Sequence, residues 1–165
     1  MLNNPLIEKL RKPIAAIVIS VSALGAIKGY EGYKSEAYVP VPGDVLTIGY
    51  GTTKKPDGEA VQKSDIVDKQ LAEVYLKNDI SIFAKEISKC IKVPISQGEY
   101  DAFISLTYNI GSGAFCKSTL VKKLNTYDYA GACNEILKWD KFKGVPLKGL
   151  TIRRTKEYNQ CIGKE

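Results

Sequence analysis

From Pro13 to Ile27 the chain reads PIAAIVISVSALGAI without a charged residue, and Lys28 closes the run. Lys9, Arg11 and Lys12 precede it. The run is shorter than the about 20 apolar residues of a membrane-spanning helix, and it shows no polar face at helical spacing. A basic head followed by a short apolar body is the layout of a secretory signal. Three readings compete: a cleaved signal, a buried globular helix, and a weak signal anchor. The last is long enough to be exported and too rich in Ser, Gly and Ala to be held firmly in lipid. The weak anchor, residues 1–28, is the expectation here, with an N-terminal hydrophobic helix and a domain over 29–165.

Downstream the pattern changes. Residues 29–58 have the texture of turns and short strands: Pro40, Pro42 and Gly43 break any helix, and Val45–Tyr50 alternates as a strand does. Lys55-Pro56-Asp57-Gly58 supplies a turn, which predicts a hairpin of 46–53 with 59–61. Ser64 and Asp65, ahead of Val67, Leu71, Val74 and Tyr75, predict a capped amphipathic helix, and Ile80, Ile82, Phe83 and Ile87 carry it toward Cys90. Ser96 with Glu99 three residues on is a capping box before Phe103 and Leu106. Further helices are predicted from Ser118 through Leu124, from Tyr129 to Trp139, and from Thr151 to Cys161. These elements compose an α+β fold with a small strand-containing lobe and a larger helical one.

Length and composition narrow the chemistry. The 165 residues suit one domain, with two lobes at most, and 44% apolar content with modest charge density argues against disorder. A formal charge of +6 favours an anionic partner, with nucleic acid, anionic lipid and cell wall all eligible. No nucleic-acid reading module accompanies the lysines, which argues against the first. The chain has no histidine, which removes imidazole bases, His-based triads and His-containing metal sites. Cys90, Cys116, Cys133 and Cys161 are too widely spaced for redox or zinc motifs. They fit either two disulfides in one of three pairings or four buried thiols. Export favours the disulfides.

The densest polar stretch starts at Glu31-Gly32-Tyr33, passes Glu36, Asp44 and Thr47, and ends at Gly49-Tyr50-Gly51. Acidic, hydroxyl and aromatic groups beside a sheet turn are what glycoside cleavage needs. One carboxyl donates a proton to the glycosidic oxygen while a second group orients or activates water. Keeping a glutamic acid protonated to about pH 6 takes about 2.3 kcal/mol of differential interaction, which apolar walls supply. Solvated surface carboxylates remain the plain alternative for each acid taken singly.

The blocks Glu31-Gly32-Tyr33 through Ala37-Tyr38, Pro42-Gly43-Asp44-Val45-Leu46-Thr47-Ile48-Gly49-Tyr50-Gly51-Thr52-Thr53 and Val93 to Phe103 closely resemble phage-type lysozymes of the T4 lysozyme superfamily. So do Tyr108-Asn109-Ile110-Gly111, Gly113 to Leu120, Gly131-Ala132-Cys133, Trp139 and Gly149-Leu150 with Arg153-Arg154. Together they run from about residue 30 to the C-terminus in the family's order. The resemblance implies an endolysin that hydrolyses the β-1,4 bond between N-acetylmuramic acid and N-acetylglucosamine in bacterial peptidoglycan, acting as a monomer without metal or cofactor. It implies Glu31 as general acid and Thr47 as a holder of water.

The family's Asp falls nine residues after the Glu, where this chain has Pro40, and the Glu-to-Thr interval here is sixteen residues against the family's fifteen. Asp44 is the nearest carboxylate and is the residue expected to act as the base-like group on the water. Glu36 is a rival, and a site in which Thr47 and Glu31 manage the water without an Asp is a third option. A catalytically inactive wall-binding accessory and a lytic transglycosylase leaving 1,6-anhydro ends are the alternative functions. Tyr33, Tyr38 and Tyr50 are candidates for a saccharide groove, with core packing an equal alternative.

The resemblance pairs Cys90 with Cys116 and Cys133 with Cys161, and makes Arg153 or Arg154 a brace between helices. It extends to endolysins whose signal anchor is later released. That implies the inner membrane as an early partner, with the chain facing the periplasm and becoming soluble there on release.

Overall fold

The computed structural model describes Leu6 and residues 10–164. The backbone divides into two compact lobes: a small one, Leu24–Ile82, and a large one formed by the described residues up to Ala23 together with those from Phe83 onward. The two boundaries fall inside helices, one in α1 (Val21–Glu31) and one in α2 (Lys69–Ile87).

The small lobe is built on one antiparallel pair, β1 (Lys34–Tyr38) and β2 (Thr47–Gly49), in which Lys34 faces Gly49 and Tyr38 faces Thr47. The strand predicted over 45–50 is therefore present but short, and its partner lies upstream of it. The Lys55–Gly58 turn closes as predicted, with Gly58 N donating to Lys55 O at 2.9 Å and Lys55 N to Glu59 O at 2.8 Å. The expected second hairpin strand is reduced to the isolated Lys54–Ala60 bridge and the hydrogen bond from Val61 N to Thr53 O at 3.1 Å.

Helix α2 begins at Lys69, later than the Ser64–Asp65 signal predicts. Val67 N donates to Ser35 O and Ala37 N to Asp65 O, so residues 65–67 lie extended along β1. Asp68 caps instead, accepting from Leu71 N at 2.7 Å. Ile27, Ile48, Val67, Ala72 and Leu76 form the buried interior of this lobe.

The large lobe is helical: α3 (Gln97–Ile110), α4 (Ser112–Lys117), α5 (Thr119–Leu124), α6 (Tyr129–Ile136) and α7 (Lys148–Cys161). The Ser96–Glu99 capping box forms as the sequence predicts, and Ser118 caps α5 through Val121 N. Helix α3 is buried along most of its length and packs chiefly against α7. Phe103, Leu106, Phe115, Leu120, Leu124 and Ile136 fill the interior. Between α6 and α7 stands a two-stranded hairpin, β3 (Lys141–Phe142) with β4 (Val145–Pro146), which the apolar pattern did not announce. Two disulfides, Cys90–Cys116 and Cys133–Cys161, close this lobe with the same pairing that the resemblance implies.

The expectations built on the N-terminal apolar run need correction. Among the described residues no helix is long and apolar enough to cross a membrane. The inner-membrane partner, the membrane-bound location facing the periplasm and the tethered state they implied are therefore withdrawn. The run is divided: Ile14–Ala16 forms a 3-10 turn, 17–20 is irregular, and α1 starts only at Val21.

The physical reason lies in polar partners far away in sequence. Asp101 accepts from Ser20 N at 3.0 Å, Gln97 donates to the Val18 carbonyl at 2.8 Å, and the Ser20 hydroxyl accepts from Ala23 N. These contacts satisfy backbone groups that a continuous helix would have satisfied internally. Ile17, Ala23 and Ile27 are buried in protein. Of the basic head, Lys9 lies outside the described residues. Arg11 pairs with buried Glu99 at 2.7 Å and stacks 3.4 Å from the Tyr129 ring centroid, and Lys12 pairs its backbone with Ile95.

Candidate active site

Glu31 is the last residue of α1 and is half-buried. Gly32 ends the helix in the left-handed region, φ 70°, donating to Lys28 O at 3.1 Å. The reversal feeds the chain directly into β1, three residues after Glu31. At the far end of β1, Tyr38 stands opposite Thr47. Burial first, and then the Glu31 carboxylate, push the Tyr38 phenol above its ordinary value of 10.0. Glu31 thus lies within electrostatic reach of Tyr38, and Tyr38 pairs across the sheet with Thr47.

Thr47 is buried, 5% exposed, and its hydroxyl donates to Val45 O at 3.2 Å. With its proton committed there, the oxygen's lone pairs are what it can offer to a water. Asp44 lies in the exposed loop before β2 and accepts from Val45 N through Oδ1 at 2.8 Å. Its neighbour Gly43 turns at φ 88°. Glu36 is exposed in β1, its backbone bridged to Ile66.

The tyrosines divide. Tyr33 donates its hydroxyl to Val67 O at 2.7 Å and meets Tyr50 at 5.7 Å between ring centroids. Tyr50 is 6% exposed. These two brace the small lobe's interior, and the Tyr38 phenol feels the Glu31 carboxylate.

Two side-chain pairings escaped the sequence reading, Thr52 with Asp79 and Glu73 with Lys28 and Lys77. The turn after β2 is closed by paired backbone hydrogen bonds between Ile48 and Thr52, at 2.9 and 3.0 Å. Thr52, 1% exposed, donates its hydroxyl to Asp79 of α2 at 2.6 Å. Burial drives the Asp79 carboxyl up to about 6, against which the Thr52 hydrogen bond pulls down. Gly49, φ 64°, lies against Ala72 of the same helix so closely that a Cβ there would come within 3.1 Å of the Ala72 Cβ. Beside this turn, Glu73 is held between Lys28 at 2.6 Å and Lys77 at 2.9 Å, and the hydrogen bonds from Lys28 and Lys77 bring its carboxyl down to about 2. A polar Asp on the inner side of an otherwise amphipathic α2 is the sequence signal for the first of these features.

In the large lobe Arg153 and Arg154 are both buried. Glu157 accepts from Arg153 Nε at 3.0 Å and pairs with Arg154 Nε at 2.9 Å, while Ser105 donates to Glu157 at 2.6 Å. Arg153 also reaches the Ser105 carbonyl, tying α7 to α3. Among the described residues no cluster of Cys, Asp or Glu is arranged to hold a metal ion.

Comparison with known proteins agrees with this architecture. Residues 28–157 match the family model described as phage lysozyme. The endolysin of Acyrthosiphon pisum secondary endosymbiont phage 1 is 42% identical over 143 residues, covering 84% of this chain and 94% of its own length. The endolysin of Bacillus phage B103 is 37% identical over 140 residues, and this chain spans about half of that protein, 52%. Among solved structures, an endolysin from Escherichia coli O157:H7 phage FAHEc1 superposes with a TM-score of 0.79 at 36% identity, over 91% of this chain and 96% of that one. The chain belongs to the phage lysozyme family.

Proposed function

We propose that this chain is an endolysin, a glycosidase that hydrolyses the β-1,4 bond between N-acetylmuramic acid and N-acetylglucosamine in peptidoglycan and so lyses bacteria. Its catalytic domain spans 29–165. Glu31 protonates the leaving glycosidic oxygen. Thr47 holds the attacking water through its free lone pairs, and Asp44 receives the water's proton on the carboxylate oxygen not engaged by Val45.

The observation that carries the reading is the match of residues 28–157 to the phage lysozyme family; in support, Glu31 ends the helix that runs into β1, and Thr47 is buried at the start of β2 opposite Tyr38. Tyr38 is the saccharide-facing candidate of the three tyrosines, since Tyr33 and Tyr50 are engaged in packing.

Glu31→Gln keeps the shape of the side chain and removes the acid. It is expected to lower clearing of permeabilised bacterial cells by at least about 100-fold, within the usual range for general acid catalysis, at unchanged circular dichroism. Full activity in that variant would end the assignment. Mass analysis of released muropeptides is expected to show one added water per cut. Products lacking that water would mark a transglycosylase.

A further inference from the structure

The hairpin β3–β4 and the residues after it, 141–149, are exposed throughout. Phe142, Val145 and Leu147 are 54%, 62% and 44% exposed, so three large apolar side chains contribute little to the core. Lys141, Lys143 and Lys148 share this segment, and none of them makes an ion pair among the described residues. Asp140 is the one carboxylate in 137–149 and is engaged by the Thr151 hydroxyl at 3.1 Å.

An isolated two-stranded hairpin is marginally stable, yet this one is held in shape. Lys143 and Gly144 adopt φ 49° and 82°, the two-residue turn that matches strand twist. At its base Leu147 N donates to Asp140 O at 2.9 Å. The Lys143 ammonium sits 5.5 Å from the Phe142 ring centroid. An exposed strip that intersperses cations with large apolar groups marks a contact surface.

We propose that this hairpin binds the acidic peptide stems that branch from the glycan strand, a contact that rests on the peptidoglycan reading above. N-acetylated sugar rings carry no charge for three lysines to meet. The stems supply carboxylates for the ammonium groups and methyl-bearing residues for Phe142, Val145 and Leu147. In intact wall the lactyl carboxyl of each N-acetylmuramic acid is tied up in its amide to the stem, so the hairpin's charge finds its complement in the stems.

The test is pelleting with insoluble peptidoglycan in a Glu31→Gln background, which keeps the wall intact. Adding Lys141→Gln, Lys143→Asn and Lys148→Gln replaces exposed side chains only, and an unchanged melting curve verifies the fold. A few-fold contribution from each exposed pair multiplies to about tenfold weaker binding. That loss is expected to vanish on wall whose carboxylates have been amidated.

Equal binding by the two proteins would overturn the proposal. So would a loss that persists on amidated wall, which would indicate a phosphate-bearing polymer. Lysine-dependent binding to phosphatidylglycerol vesicles with wall binding unaffected would overturn it in favour of lipid. Clearing of cells by the wild type tests the muramidase reading separately, because pelleting needs no turnover.

Discussion

Asp79 offers the sharpest quantitative test of the small lobe. Its carboxyl titrates near 6 in the folded chain because burial disfavours the anion, against an ordinary value of 3.8. The folded state therefore binds a proton that the unfolded state has already released between about pH 4 and pH 6. Where the native state holds more protons, stability falls as pH rises, so the full contribution is present below about pH 4 and is lost by about pH 7. A shift of about two units corresponds to about 3 kcal/mol. Residual water contact at Asp79 trims this to about 2–3 kcal/mol.

Asp79→Asn keeps an oxygen that accepts from the Thr52 hydroxyl and removes the ionisable group. The amide's own fit adds a constant that does not vary with pH. The difference in unfolding free energy between the Asp79→Asn variant and wild type is therefore expected to move by about 2–3 kcal/mol in favour of the variant between pH 4 and pH 8. Urea denaturation with the disulfides intact, at unit steps of pH, reads it. Thr52→Val removes the donor that now lowers the Asp79 value and is expected to shift the titration upward. A pH-independent difference, or one that increasingly favours the wild type as pH rises, would refute the reasoning.

Three further outcomes are expected. Gly49→Ala places a Cβ on a left-handed backbone and 3.1 Å from Ala72; a loss of about 1–3 kcal/mol in chemical denaturation is expected, with reduced wall clearing because Thr47 is two residues away. Replacing Cys133 and Cys161 by Ser opens a loop of 28-residue separation and is expected to lower stability by about 3–4 kcal/mol on the chain-entropy account, which equilibrium unfolding measures. Arg11→Met leaves the Glu99 carboxylate, 2% exposed, without its guanidinium partner; a loss of about 3 kcal/mol is expected, against no change if the N-terminal segment contributes nothing to the fold.

What the sequence by itself determined was whatever depends on neighbours within a turn or two. The Ser96–Glu99 capping box and the Lys55–Gly58 turn are short-range hydrogen-bond patterns, legible because donor and acceptor sit three or four residues apart. The family blocks brought Glu31 and Thr47 forward for a different reason, since their order along the chain is itself specific.

Tertiary structure decided the rest, because the competing interactions come from elsewhere. An apolar run that reads as a membrane anchor becomes a turn and a helix start once Asp101 and Gln97, about 80 residues on, take its backbone groups. Residues 65–67 read as a helix start and are extended because Ser35 offers a carbonyl. Tyr33 carries no local mark of its role, since its phenol binds a carbonyl 34 residues away, and Asp79 shows in the sequence only as a polar residue on an inner helix face, while its titration is set by burial. Hydrophobic pattern and capping act over a few residues, whereas desolvation and long-range hydrogen bonding exist only after the chain has closed on itself.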